Sequence, residues 1–342
     1  MNILLTIFIF ILVLFLYIYI NNQFKKSQDL EIYEMDYYDN KNLQEVCEVR
    51  QPVLFNIYEY VPNVIETLSY ETISNCKSFD IKIKDTNDYY YNGSETTVDP
   101  VVISLESGLK LIENDENKHF LSENNDEFLE ESGLLKQLSI LDDFLKPTFN
   151  ITTNYDIITG SVGLATPFKY HNNYRKFLCV TSGKIHIKMT PWKSSKYMHP
   201  IKDYDNYEFY SPVNPSECQS QYSREFQKTK FLEFDVFPGY VLFIPPYWWY
   251  SIQFSDSKKD LVFTITYSTV MNAISNVPDL FLHWLQQQNI EKKVSKTSVS
   301  NDEESPIIEP LIEPNMGKEE EQKEDQEDYD IVENVEKDSM QK

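Results

Sequence analysis

Apolar and polar positions divide the chain into three unequal stretches. Ile3 to Ile20 reads ILLTIFIFILVLFLYIYI, without a charge and with only Thr6, Tyr17 and Tyr19 as polar interruptions. A helix needs about 20 such residues to cross the hydrocarbon core of a bilayer, so the run predicts a membrane span. A signal peptide has a shorter apolar region, about 7–15 residues, with a basic start and a small-residue cleavage site. No Lys or Arg precedes this run and no Ala-x-Ala-like site follows it, which favours an uncleaved anchor over residues 1–22. The nearest cations, Lys25 and Lys26, come after the run. The positive-inside rule then places residues 25–342 on the cytoplasmic side. Two glycosylation sequons, Asn92-Gly-Ser94 and Asn150-Ile-Thr152, point the other way, but an Asn-rich chain produces such triplets by chance.

Residues 23–45 read as a linker and residues 46–290 as one folded domain, helical first and then β-rich. KNLQEVCE (41–48) and PNVIETLS (62–69) suit short helices. EFLEESGLLKQLSILDDFL (127–145) has helical spacing, with Gly133 a break and Pro147 a stop. From Asn150 the pattern changes to short β-rich runs separated by turn residues: YDIITGSVG, KFLCVTSG, KIHIKMTPW, KFLEFDVFPGYVLFIPP, WYSIQF and DLVFTITYST. That punctuation predicts a compact β-barrel or sandwich. A last helix, DLFLHWLQQQNI, follows Pro278.

Charge changes the picture at the far end. The chain carries a net charge of −23, and residues 291–342 are strongly acidic and nearly free of aromatics. Such a segment buries too little apolar surface to offset its ordering entropy, so a disordered acidic tail is expected there. The overall balance excludes nucleic acid as a partner, because phosphate binding needs a clustered basic surface. Cys47, Cys76, Cys179 and Cys218 are scattered without the Cys-x-x-Cys spacing of a zinc or redox site, and read as free thiols. The richness in Asn, Ile, Tyr and Lys, with eight Gly, is that of an AT-rich coding sequence and carries no mechanism.

Two strings hold most of the chemical information: Gly163-Leu-Ala-Thr-Pro-Phe-Lys-Tyr-His171 and Phe237-Pro-Gly-Tyr-Val-Leu-Phe-Ile-Pro-Pro-Tyr-Trp-Trp-Tyr250. By physics alone the second is a turn, an apolar strand and a rigid double-proline exit with an aromatic rim. Together with Arg50-Gln-Pro-Val-Leu-Phe55, Leu145-Lys-Pro147 and Leu178-Cys-Val-Thr-Ser-Gly183, in this order, the chain resembles the cupin-like, Jumonji-C family of iron(II)/2-oxoglutarate dioxygenases. The asparaginyl-hydroxylase-like branch is the nearest in pattern. The resemblance covers residues 46–290 and implies a mainly β fold, a double-stranded β-helix with flanking helices.

That family holds iron(II) through two histidines and a carboxylate, leaving positions open for 2-oxoglutarate and oxygen. The resemblance puts the first two ligands, a His-x-Asp, at Lys169-Tyr170-His171, and the third at Tyr250. Sliding the first motif by one residue gives Tyr170-His171-Asn172, which restores no carboxylate. The lysine that anchors 2-oxoglutarate in the family corresponds to Ile185, with Lys184 beside it as the nearest remnant. The expectation is a degenerate metal site at Lys169, His171 and Tyr250, no cofactor, and a non-catalytic binding or structural module on a membrane. The alternative, an active protein hydroxylase using iron(II) and 2-oxoglutarate, would need ligands from elsewhere, such as His186, His199 or Asp203. No Ser-His-Asp, Cys-His or paired-carboxylate spacing supports a third chemistry. Lys169 offers a cation for an acidic ligand, a protein partner is open, and the resemblance implies pairing of two subunits through the C-terminal helix.

Overall fold

The computed structural model describes residues 3–90, 97–257 and 259–289. The expected acidic tail and the first sequon, at Asn92, lie outside these residues. The apolar run, with a mean hydropathy of 3.1 over 18 residues, forms one helix, α1 (Ile3–Gln23). Its apolar side chains point in every direction and are solvent-exposed, except Leu16 and Ile20, which are half-buried; Gln23 at its end is buried. At about 1.5 Å per residue the helix spans roughly 30 Å, the thickness of a bilayer core. Length and composition fit a membrane span and a signal sequence alike.

The domain is built on two sheets. Ahead of the β-rich half lie β1 (Tyr33–Asp36), β2 (Val53–Asn56), β3 (Asp80–Asp85), β4 (Val101–Ser104) and β5 (Phe120–Ser122). The β-rich half holds β6 (Asn150–Gly160), β7 (Lys169–Tyr170), β8 (Arg175–Ser182), β9 (Ile185–Thr190), β10 (Ile201–Asp203) and β11 (Glu208–Tyr210). It closes with β12 (Leu232–Val236), β13 (Tyr240–Ile244), β14 (Trp249–Phe254) and β15 (Leu261–Thr269). The large sheet runs β1-β2-β13-β8-β15-β6-β5-β3-β4 and the small one β10-β11-β7-β14-β9-β12. Within the β-rich half, β6 to β9 alternate between the large and the small sheet and β12 to β15 alternate again, while β10 and β11 between them both lie in the small sheet. This is the winding of a double-stranded β-helix.

The alternation of side chains explains why the central strands read as unbroken apolar runs. On β8, Leu178 and Val180 point between the sheets to meet Ile187, Met189 and Ile252. Phe177 and Cys179 point the other way, into a second core with Leu43, Leu138, Leu141 and Leu145 from the amino-terminal helices. Both faces of the large sheet are covered, so both parities along the strand are apolar. Arg175, fully buried on β8, pairs with Glu48 at 2.6 Å and fastens the helix Asn40–Cys47 to the sheet.

The helices fall where expected, with adjustments. The stretch 127–145 divides into Asp126–Glu131, Leu135–Leu138, a 3-10 turn and Asp142–Leu145, broken at Gly133, whose φ is +75°. Two readings are corrected. The amino-terminal half holds β1–β5 among its helices, and these extend the large sheet outward. The segment read as a linker is laid on the domain: Leu30 and Ile32 pack on the intersheet core, Tyr33 N–H donates to Pro52 O, and β1 pairs parallel to β2. All four cysteines are free; Cys47 and Cys179 are buried, Cys76 and Cys218 partly so.

Candidate functional site

The small sheet sets the site. β7 pairs with β14 so that Lys169 lies directly opposite Tyr250. Both line a cavity of about 720 Å³ between the sheets, which His171, Lys176 and Asp156 also line. Tyr170, next along, packs among Phe209, Trp192 and Trp249, an aromatic layer that borders the cavity through Tyr170 and Phe209. Trp249 is fully buried and donates Nε1–H to Ser195 Oγ at 2.7 Å. Trp248 is buried as well, in the intersheet core. The aromatic pair at the end of the double-proline string is therefore packing.

Lys169 does not stand alone. Its ammonium bonds Glu123 Oε1, lies 3.3 Å from Glu208 Oε2 and 3.2 Å from the Tyr89 hydroxyl. Lys84, only 1% exposed, reaches the same three partners, with Glu123 and Tyr89 each at 3.2 Å. Tyr89 donates to Glu208 Oε2 at 2.8 Å, and Asn124 Nδ2 donates to Glu208 Oε1 at 2.8 Å. The set comes from β3 and the 3-10 turn Thr86–Tyr89 that follows it, the loop after β5, β7 and β11. Two ammoniums meet two carboxylates, so the cluster is neutral as a whole. Burial acts to raise both carboxyls, but the Lys169 and Lys84 ammoniums outweigh it and hold Glu123 and Glu208 below the ordinary glutamate value. Burial acts to lower Lys169, and the two glutamates more than reverse it, so Lys169 stays a cation.

The other cavity groups are differently placed. His171 bonds Ile244 O through Nε2 at 3.0 Å, which puts the ring proton on that nitrogen. Burial, helped by the nearby Lys176 charge, pushes its pKa down to about 3, so the ring is neutral. Lys176 of β8 lies 5.8 Å from the Tyr250 ring centroid; burial acts against its charge, but its neighbours, the Tyr250 hydroxyl and Asp156 among them, hold its pKa above the ordinary lysine value. Asp156 accepts backbone N–H groups from Asn125 at 2.7 Å and Asn124 at 2.9 Å. Burial nevertheless raises its pKa to about 6.

A profile described as cupin-like domain matches residues 72–273, more than half of the chain. The chain belongs to the cupin-like domain family. No curated protein matches it.

Iron(II) in such a barrel would need two imidazoles and a carboxylate on one face. Lys169, His171 and Tyr250, the positions expected from the resemblance, offer a paired ammonium, a neutral imidazole tied to a backbone carbonyl, and a phenol. Among the described residues no three His, Cys, Asp or Glu side chains are grouped to hold a metal ion. The donor set does not fit the metal.

The remaining candidates lie elsewhere. Lys184 Nζ bonds Asp235 at 3.1 Å on the edge of the small sheet, and Ile185 is buried in the intersheet core. His186 bonds the same Asp235 at 2.9 Å and faces Glu233, a partly exposed row of charge. His199 pairs with Glu225 at 2.8 Å, and Asp203 accepts from Asp205 N–H at 2.8 Å in a turn. None of these four lines the cavity with Lys169 and Tyr250. Sequence reasoning missed Lys84, Tyr89, Glu123, Glu208, Asp156 and Lys176. Lys84 sits in IKIKD, where alternation with isoleucine reads as a solvated row, and nothing local announces that the glutamates converge on it.

Proposed function

We propose that this cupin-like protein is a membrane-tethered binding module whose barrel does no iron(II)/2-oxoglutarate chemistry. One observation carries the reading: the Lys169 ammonium, opposite Tyr250, is bonded to Glu123 and Glu208 at the place where the family's ligand pattern would put a metal-binding histidine. An ammonium there has no lone pair to give a divalent ion and is itself already satisfied. The order of motifs supports descent from the asparaginyl-hydroxylase-like branch, and α1 supports a single membrane span with the domain on the cytoplasmic side. For an acidic ligand the cavity's available cation is Lys176, beside Tyr250, because the charge of Lys169 is already matched.

The test is direct. The full chain, purified in detergent, is given iron(II) without oxygen and then 2-oxoglutarate with oxygen. The expected result is substoichiometric iron and no iron-dependent succinate. Stoichiometric iron with succinate release overturns the proposal in favour of an active hydroxylase.

A further inference from the structure

The terminal helix, Val277–Gln287, buries its polar face and presents its apolar one. Asp279 accepts from Lys202 Nζ at 3.0 Å and from the Tyr204 hydroxyl at 2.7 Å. His283 Nδ1 bonds Tyr204 O, and Gln287 Nε2 donates to Asp205 O at 2.8 Å. The outward side is apolar: Val277, Phe281, Trp284 and Leu285 are 55%, 54%, 55% and 43% exposed. The preceding helix, Val270–Ser275, continues the row with Val270 and Ile274, each 42% exposed. The acidic and basic residues of the two helices are Asp279 and His283, and both bond inward to the domain. A water-facing helix does the reverse, so this face is built for an apolar neighbour.

The helix Val270–Ser275 also lies against α1. The apolar row therefore runs on from the apolar surface of α1 itself. We infer that the helices at 270–287 rest in the surface of the bilayer beside the point where α1 enters it, with Phe281 and Trp284 among the acyl chains. The chemistry is that of an interfacial helix: apolar and aromatic on one side, hydrogen-bonding on the other. The inference rests on the proposal that α1 spans a membrane.

Both claims are read in one preparation. The full-length protein and its Trp284→Phe variant are reconstituted into phosphatidylcholine vesicles with or without lipid brominated in mid-chain. Flotation after an alkaline wash reports on α1. The emission difference between the two proteins isolates Trp284 from Trp192, Trp248 and Trp249. The expected result is flotation of both proteins and at least twofold quenching of the Trp284 component. A Phe281→Ser, Leu285→Ser variant should float equally and lose that quenching. Flotation with an unquenched Trp284 overturns the inference and leaves the anchor standing. If Trp284→Cys then forms disulfides between copies, the face belongs to a dimer instead. Failure to float overturns the anchor, and the inference with it.

Discussion

Lys169 is held by two carboxylates and holds them in turn, so its removal is costly in a pH-dependent way. Lys169→Met leaves Glu123 and Glu208 with one ammonium, Lys84, in a site where all these side chains are 12% exposed or less. Breaking a buried pair by deleting one partner costs roughly 3–5 kcal/mol. In the wild type the glutamate pKa values are depressed, so their stabilisation is present above the unfolded value and is lost as pH falls through the folded one. In the variant the orphaned carboxyl titrates upward and takes a proton below neutrality. Thermal unfolding should therefore show a large loss at pH 8 that shrinks toward pH 5. Adding Glu123→Gln should restore much of the stability at pH 8. Equal losses at both pH values would mean that the ammonium contributes packing alone. Lys169 and Tyr250 stood out in the sequence because their motifs fix them by spacing. Their partners did not, because Glu123 and Glu208 lie 46 and 39 residues from Lys169 and meet it only through sheet pairing.

At the scale of elements, the crossover from β8 to β9 joins the two sheets through two residues, Gly183 and Lys184. Gly183 has φ +72°, and a Cβ there would fall 1.8 Å from Asp260 Oδ1 and 2.8 Å from Asp260 Cα. Asp260 cannot simply withdraw, since its carboxylate accepts Lys184 N–H at 3.1 Å and binds Ser255. Gly133 also has positive φ, at +75°, but nothing lies within 4 Å of its added Cβ. Left-handed backbone alone costs an L-residue roughly 1–2 kcal/mol. Gly133→Ala should lose about that much in chemical denaturation, and Gly183→Ala distinctly more. Equal losses would show that Asp260 yields freely. The same strands show what was legible. β8 and β13 announce themselves because their centres are apolar on both parities, with Gly183 after the one and Gly239 and Pro245 around the other. β1–β5 do not, being three to six residues long, and β2 joins the large sheet only through β13, remote in sequence.

For the molecule as a whole, the decisive feature is how α1 is joined to the barrel. Residues 24–32 form a strap. The Lys26 ammonium lies 4.1 Å from the Trp192 ring centroid and 4.3 Å from that of Tyr247, while Lys193 Nζ donates to Gln28 O at 2.7 Å. Tyr247 N–H in turn donates to His171 O at 2.8 Å, so the strap is only two contacts from the cavity. The helices at 270–287 also wall that cavity through Asn272, Asn276 and His283. Strap and terminal helix together hold the cavity in a set orientation to α1, where a flexible linker would let the barrel tumble. A cation between two aromatic faces contributes on the order of 1 kcal/mol, more when it is partly desolvated, as burial has lowered the pKa of Lys26. Lys26→Met should therefore free the strap without unfolding the barrel. In vesicle-bound full-length protein, proteinase K should release the soluble domain several-fold faster from the variant, with the thermal midpoint of the domain nearly unchanged. Identical release rates would show that Leu30 and Ile32 alone fasten the neck, and that the aromatic clamp on Lys26 contributes nothing to orienting the barrel.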